Sequence, residues 1–229
     1  MTRPVQLGLI EGTDKAVGPM LTSVVHGDNA DLMAAIAPLY LTGNVLDTTY
    51  GRGMWWRRVQ PDGLVGHDLA LDGVDFRDLP YDDASFDTVC FDPPYIPQGG
   101  TTAQDVKSKR FRARFGLEQS MSQAELDAMV TAGLAECARV ARRFVLVKCM
   151  DYVNGKALNL GHVRVLSEGQ RLGLTVHDLL VLDTGRPGPG GAQIRVVQRA
   201  RRAHSYLIVF AKRVRASTSP DPVSSRLAP

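Results

Sequence analysis

The chain has 229 residues, 44% hydrophobic and 22% charged, with 27 Lys and Arg against 24 Asp and Glu. This composition is globular rather than disordered or fibrous, and the length suits a single domain. No apolar run approaches the ~20 residues that a bilayer-spanning helix needs, and Glu11 and Asp14 interrupt the N-terminus before any apolar leader core, so neither a membrane span nor a secretory signal is expected.

Residues 1–22 carry Gly and Pro with no clear period and read as an arm before a domain over 23–215. Asn29 or Asp31 can cap a helix running through Ala34, Ile36 and Leu39. Asn44–Asp47 reads as a short buried strand. It is followed at once by the glycine turn Tyr50-Gly51-Arg52-Gly53 and an aromatic helix start at Met54-Trp55-Trp56, whose two indoles are expected in the core. Leu64–Asp68, Val74–Phe76 and Phe86–Phe91 are three further strands, and the last runs into Asp92-Pro93-Pro94-Tyr95.

Residues 96–121 are glycine-rich, polar and basic, longer than an ordinary connection, and read as a functional insertion. Ser122 caps an amphipathic helix to Arg142, with Leu126, Met129, Val130, Leu134 and Cys137 on one face. Phe144–Lys148 is the next strand, closed by a lysine expected foremost to be solvated, with the cleft at the strand ends as its alternative place. His162–Leu172 is helical and Thr175–Leu182 a strand. A Gly/Pro-rich basic insertion over 184–203 precedes the last strand, Tyr206–Phe210. Residues 216–229, rich in Ser and Pro, read as a disordered tail.

Short apolar strands alternating with helices predict an α/β fold, an open doubly wound and mostly parallel sheet. Only a loop joins the last two strands, so they should pair antiparallel. Ligands in such sheets sit at the carboxyl ends of the strands. Asp47, Asp68, Asp75 and Asp92 each fall at or near such an end.

The net charge of +3 conceals a partition. Lys107, Lys109, Arg110, Arg112 and Arg114 form one acid-free stretch; Arg186, Arg195, Arg199, Arg201, Arg202, Lys212, Arg213 and Arg215 form another. Taking these 13 bases from the 27 leaves 14 against 24 acids, an acidic body with two basic segments suited to a polyanion. Cys90, Cys137 and Cys149 are odd in number and lack metal-site spacing, which fits a reducing cytosol, with no metal expected.

The most specific pattern is Asp92-Pro93-Pro94-Tyr95. Consecutive prolines stiffen the chain and leave carbonyls without neighbouring N–H donors. With a carboxylate before them and a ring after, they form an acceptor cluster suited to a planar amino group, each of whose hydrogens can be accepted by Asp92 or by the carbonyl between the prolines. Gly51 and Gly53, lacking the third glycine of a dinucleotide fingerprint, are non-specific alone. Asp68 can accept ribose hydroxyls, and Asp75-Phe76 offers an acid beside a ring.

Together, Asp47…Gly51-Arg52-Gly53, Asp68, Asp75-Phe76 and Asp92-Pro93-Pro94-Tyr95 resemble the class I S-adenosylmethionine-dependent methyltransferases, more narrowly the amino-methylating DNA methyltransferases of bacteria and phages, over residues 26–212. The resemblance implies a Rossmann-like, seven-stranded sheet with its last strand antiparallel and S-adenosyl-L-methionine as cofactor. It implies that Asp47, Thr49, Tyr50, Gly51 and Gly53 cradle the methionine part, Asp68 holds the ribose, and Asp75 and Phe76 hold the adenine. Asp92, Pro93, Pro94 and Tyr95 would hold the target amine against the methyl group, with Asp92 also bordering the cofactor.

The family's first motif has an aromatic two residues after its acid, where this chain has Thr49. The implied partner is DNA, with RNA possible, in the cytoplasm of a bacterial or phage-infected cell, as a monomer or homodimer. An acid before the prolines points foremost to adenine N6, with cytosine N4 or an RNA guanine or adenine amine as alternatives; an inactive DNA-binding module is a further one. Lys107, Lys109, Arg110, Arg112, Arg114, Arg195, Arg199, Arg201 and Arg202 are the expected nucleic-acid contacts.

Overall fold

A computed structural model describes residues 21–95, 121–154, 157–185, 200 and 202–212. β1 (Val24–His26), α1 (Asn29–Tyr40), β2 (Asn44–Asp47), β3 (Gly63–Gly66), α2 (Leu69–Asp72) and β4 (Phe86–Phe91) form the first half. α3 (Gln123–Val140), β5 (Ala141–Cys149), the small hairpin β6 (Tyr152–Asn154) and β7 (Ala157–Asn159), α4 (Gly161–Arg171), β8 (Thr175–Asp183) and β9 (His204–Ala211) follow. Seven strands make one sheet in the order β1-β8-β9-β5-β4-β2-β3. Only β9 runs against its neighbours, pairing antiparallel with both β5 and β8. This is the doubly wound arrangement with a reversed last strand that the resemblance implied.

Strand parity divides the core into two layers. Leu46, Val89, Val145, Val147, Ile208 and Phe210 face α3 and α4. Val45, Cys90, Leu146, Leu207 and Val209 face Leu32, Met33 and Ile36 of α1. Glycines let both helices of the first layer lie close on the sheet. A Cβ on Gly133 of α3 would come within 2.6 Å of the Phe76 and Phe91 rings, and one on Gly169 of α4 within 2.4 Å of Phe210.

Both long helices begin with a reciprocal cap. For α3 it is Ser122, the expected cap, joined by Glu125; for α1 the cap is Asp28, not Asn29 or Asp31. Asp31 instead occupies the third helical position and returns its carboxylate to the Asp28 N–H at 2.9 Å. α3 passes straight into β5, so the strand starts three residues before Phe144.

The expected strand at Val74–Phe76 is absent. The Asp75 carboxylate accepts the Arg77 N–H at 2.9 Å and pairs with its guanidinium, which folds the segment into a turn and sends Phe76 into the core 5.1 Å from Phe91. The seventh strand is instead β1, which pairs parallel with β8 through Val24↔Val181. The expected helix at Met54–Trp56 is one 3₁₀ turn, with both indoles buried as expected. The three cysteines are buried and free. Among the described residues no helix is long and apolar enough to cross a membrane.

Candidate active site at the carboxyl edge of the sheet

β2 delivers Asp47 to the edge, where it is only 3% exposed. One carboxylate oxygen accepts the Thr49 N–H at 2.9 Å, and the other accepts the Trp56 indole N–H at 2.7 Å. Burial, despite these two bonds, pushes the Asp47 carboxyl up to about 6. Asp47 thus braces the glycine turn from beneath. Gly51 and Gly53 both take left-handed backbone conformations, with φ of 55° and 65°. The Tyr50 ring folds back over Gly66 and Gly53, where any Cβ would meet it within 2.8 Å. No ring stands at Thr49, and the ring one position on packs against the turn itself.

At the end of β3, Asp68 is buried and caps the short α2 through the Ala70 N–H at 3.1 Å. His67 beside it is clamped between the Asp72 carboxylate at 2.6 Å and the Tyr81 hydroxyl at 2.5 Å. The two strand ends are laced together by His67 N–H to Asp47 O and Tyr50 N–H to His67 O, both at 2.8 Å. Asp75 lies in the next loop, held by Arg77, which keeps its carboxyl below the usual range; Phe76 is a core ring under α3.

β4 ends in the tetrad. Pro93 and Pro94 are buried, and Asp92 and Tyr95 are half-buried. The Thr49 hydroxyl oxygen accepts the Asp92 N–H at 2.8 Å, and the Tyr95 hydroxyl donates to the Asp92 carboxylate. Thr49 therefore joins the glycine turn to the tetrad, although only its position in the motif marks it in the sequence. Asp47 and Asp92 are close enough that the Asp92 charge adds to the upward pressure on Asp47.

Lys148 corrects an expectation. It is 3% exposed rather than solvated, and its ammonium donates to Asn29 Oδ1 at 2.7 Å. Strand parity carries the signal: Lys148 lies two residues beyond Leu146, on the same α1-facing side. The Asn29 side chain, expected to cap its own helix, holds this ammonium instead.

Beyond the tetrad a cleft of about 420 Å³ opens between α3 and α4, lined by Pro93, Pro94, Tyr95, Leu126, Val130 and Val165 among others. Its walls also carry the Arg164–Asp127 pair at 3.0 Å. Among the expected nucleic-acid contacts only Arg202 is described, its guanidinium donating to Ala200 O at 2.9 Å. Lys107, Lys109, Arg110, Arg112, Arg114, Arg195, Arg199 and Arg201 lie outside the described residues, as do residues 1–20, 96–120 and the tail.

No protein-family model and no curated relative matches the sequence. Solved structures do align. A Thermus thermophilus protein provisionally assigned as a DNA modification methylase, in complex with S-adenosyl-L-methionine, is 14% identical over 81% of this chain and 63% of its own, with a TM-score of 0.40. The chain thus spans less than two thirds of that protein. A provisionally assigned methyltransferase from Bacillus halodurans is 14% identical over 82% of this chain and 100% of its own, with a TM-score of 0.47. A provisionally assigned rRNA methylase from Clostridium thermocellum is 12% identical over 82% and 99%, with a TM-score of 0.43.

Proposed function

We propose that this chain is an S-adenosyl-L-methionine-dependent methyltransferase that modifies an exocyclic amino group of a nucleic-acid base, foremost N6 of adenine in DNA. The observation that carries this reading is the Asp92-Pro93-Pro94-Tyr95 loop at the carboxyl end of β4, bonded through Thr49 to the glycine turn after β2. An amine acceptor and a cofactor turn are thereby held in one fixed relation. The acid at the end of β3, Asp68, fits a ribose one strand farther along the same edge. Asp75 and Phe76 are assigned to the adenine side on the motif alone.

When bound, S-adenosyl-L-methionine supplies an electrophilic methyl group on a sulfonium that leaves as a neutral thioether. The protein's work is to bring the amine to it in line. Asp92 and the Pro93 carbonyl accept the two amino hydrogens, which turns the nitrogen lone pair toward the methyl group. The Tyr95 hydroxyl yields its bond to Asp92 or shares the oxygen, and its ring stacks on the base. No strong base is needed before attack, because the amine sheds its proton only after it has become cationic. Catalysis is then mostly positioning.

A base in a duplex must be swung out to reach such a loop, and the two basic segments are suited to holding the phosphates meanwhile. Incubation with methyl-labelled cofactor and separate DNA and RNA pools, followed by nucleoside mass spectrometry, tests the assignment. N6-methyladenine in DNA is expected; N4-methylcytosine would move the base, and label confined to RNA would overturn the DNA assignment. Neutralising Lys109, Arg110 and Arg112 together should flatten the salt dependence of DNA binding; an unchanged slope would remove them from the phosphate contacts.

A further inference from the structure

The ladder between β4 and β5 pairs Cys90 with Leu146 and Phe91 with Val147. Asp92 and Lys148 follow directly on these pairs, Asp92 as the first residue past β4 and Lys148 still within β5, so both stand at the carboxyl end of the same ladder. The Lys148 ammonium belongs to a residue 3% exposed and is bonded to Asn29 Oδ1, at the first residue of α1. A buried ammonium is costly unless a neighbouring anion compensates for lost hydration. Asp92, at the same end of the ladder, is an anion whose charge acts on it.

We infer that Lys148 is a positioning residue: anchored by Asn29 and standing with Asp92 at the carboxyl end of the β4–β5 ladder, its buried charge keeps the Asp92 carboxylate anionic and thus able to accept the target amine. This rests on the reading of Asp92 as the amine acceptor.

The electrostatics of the cluster explain why such a cation is needed. Asp47 approaches Asp92 from β2, and two neighbouring carboxylates in a buried edge push one another toward the protonated form. Tyr95 donates its hydroxyl to Asp92, while Cys149, the last residue of β5, follows Lys148 with its thiol pushed up to about 12 by burial and therefore neutral. Among the described residues, Lys148 is a cation whose charge couples to Asp92. Burial lowers the Lys148 ammonium, and the Asp92 charge pulls it back up, so each of the two supports ionisation of the other. Asn29 contributes the neutral acceptor that fixes the ammonium without quenching its charge.

The test reads Asp92 directly. The protein is labelled with ¹³C at aspartate carboxyls, the Asp92 signal is assigned by its loss in Asp92→Asn, and its titration is followed by NMR in Lys148→Met, Lys148→Gln and Lys148→Arg. Met and Gln should raise the Asp92 midpoint by about one pH unit, and Arg should hold it near the parent value. Gln retains a hydrogen-bonding side chain without charge, so it separates charge from packing. In turnover, the acid limb of kcat should move with the midpoint while the KM for the cofactor changes less. An Asp92 titration unmoved in both Met and Gln variants, with native circular dichroism, would overturn the inference; so would an Arg variant that behaves like Met. The NMR readout needs no methyl donor. A moved midpoint in a protein that transfers no methyl would therefore sink the functional reading and leave the Lys148–Asp92 coupling standing.

Discussion

The Thr49 hydroxyl oxygen accepts the Asp92 backbone N–H at 2.8 Å and faces Asp47 Oδ1 at 3.4 Å. One side chain thus spans the turn after β2 and the loop after β4, the two segments that the proposed function requires to stay in register. Thr49→Val preserves the shape and removes the acceptor, leaving a buried N–H without it. A loss of about 1–3 kcal/mol in urea unfolding is expected, together with roughly tenfold slower methyl transfer. Lost stability with unchanged transfer would make Thr49 a brace only.

Trp56 donates its indole N–H to Asp47 at 2.7 Å beneath the same turn. Trp56→Phe keeps most of the packing and strips a charged acceptor of its partner. Its cost should be about 1.5–3 kcal/mol, larger at pH 7.5 than at pH 5, because the bond is strongest to the ionised carboxylate. Equal losses at the two pH values would contradict this.

Asp47 also predicts a pH dependence. Its folded value near 6 lies above the ordinary 3.8, so the folded state binds this proton more tightly than the unfolded chain. The stability that the group contributes is full below 3.8 and is lost as pH rises through 6, in all about 3 kcal/mol at ~1.4 kcal/mol per unit. Carboxylates held low elsewhere, such as Asp72 and Glu136, act in the opposite sense, so the difference between parent and variant is the quantity to follow. Asp47→Asn carries a penalty for facing its amide to a donor, and this does not vary with pH. Unfolding free energies of parent and Asp47→Asn across pH 4–7 should therefore diverge at the acid end; parallel curves would contradict the assignment.

Tyr95 follows the prolines with its hydroxyl on Asp92 and its ring along the α3–α4 cleft. Tyr95→Phe should keep stacking and cost little. Tyr95→Ala should weaken target binding by about 1–3 kcal/mol, a roughly tenfold to hundredfold rise in the KM for nucleic acid. Equal KM values for the two variants would remove the ring from the base contact.

What could be read from the residues followed from strength of pattern. Phe86–Phe91 and the run from Phe144 to Lys148 are apolar enough that only a buried strand suits them, and Ser122 with Glu125 announces the start of α3. β1 and the β6–β7 hairpin are three residues per strand, too short for any period to show. Val74–Phe76 misled because the turn chemistry of Asp75 with Arg77 overrides a β-branched and aromatic pair. In the site, the motif acids and glycines were legible one by one. The clasp by Thr49 and the burial of Lys148 were not, because each depends on which strands become neighbours, and the order β5-β4-β2-β3 is a property of the sheet rather than of any local stretch.

In the proposed function Asp92 grips the reacting amine. Single-turnover methyl transfer by Asp92→Ala, measured beside calorimetric titration with S-adenosylhomocysteine, tests it most directly. Transfer should fall by about a hundredfold or more, with the affinity for the thioether product within about threefold of the parent. Transfer at the parent rate in a variant that binds this ligand normally would contradict the account.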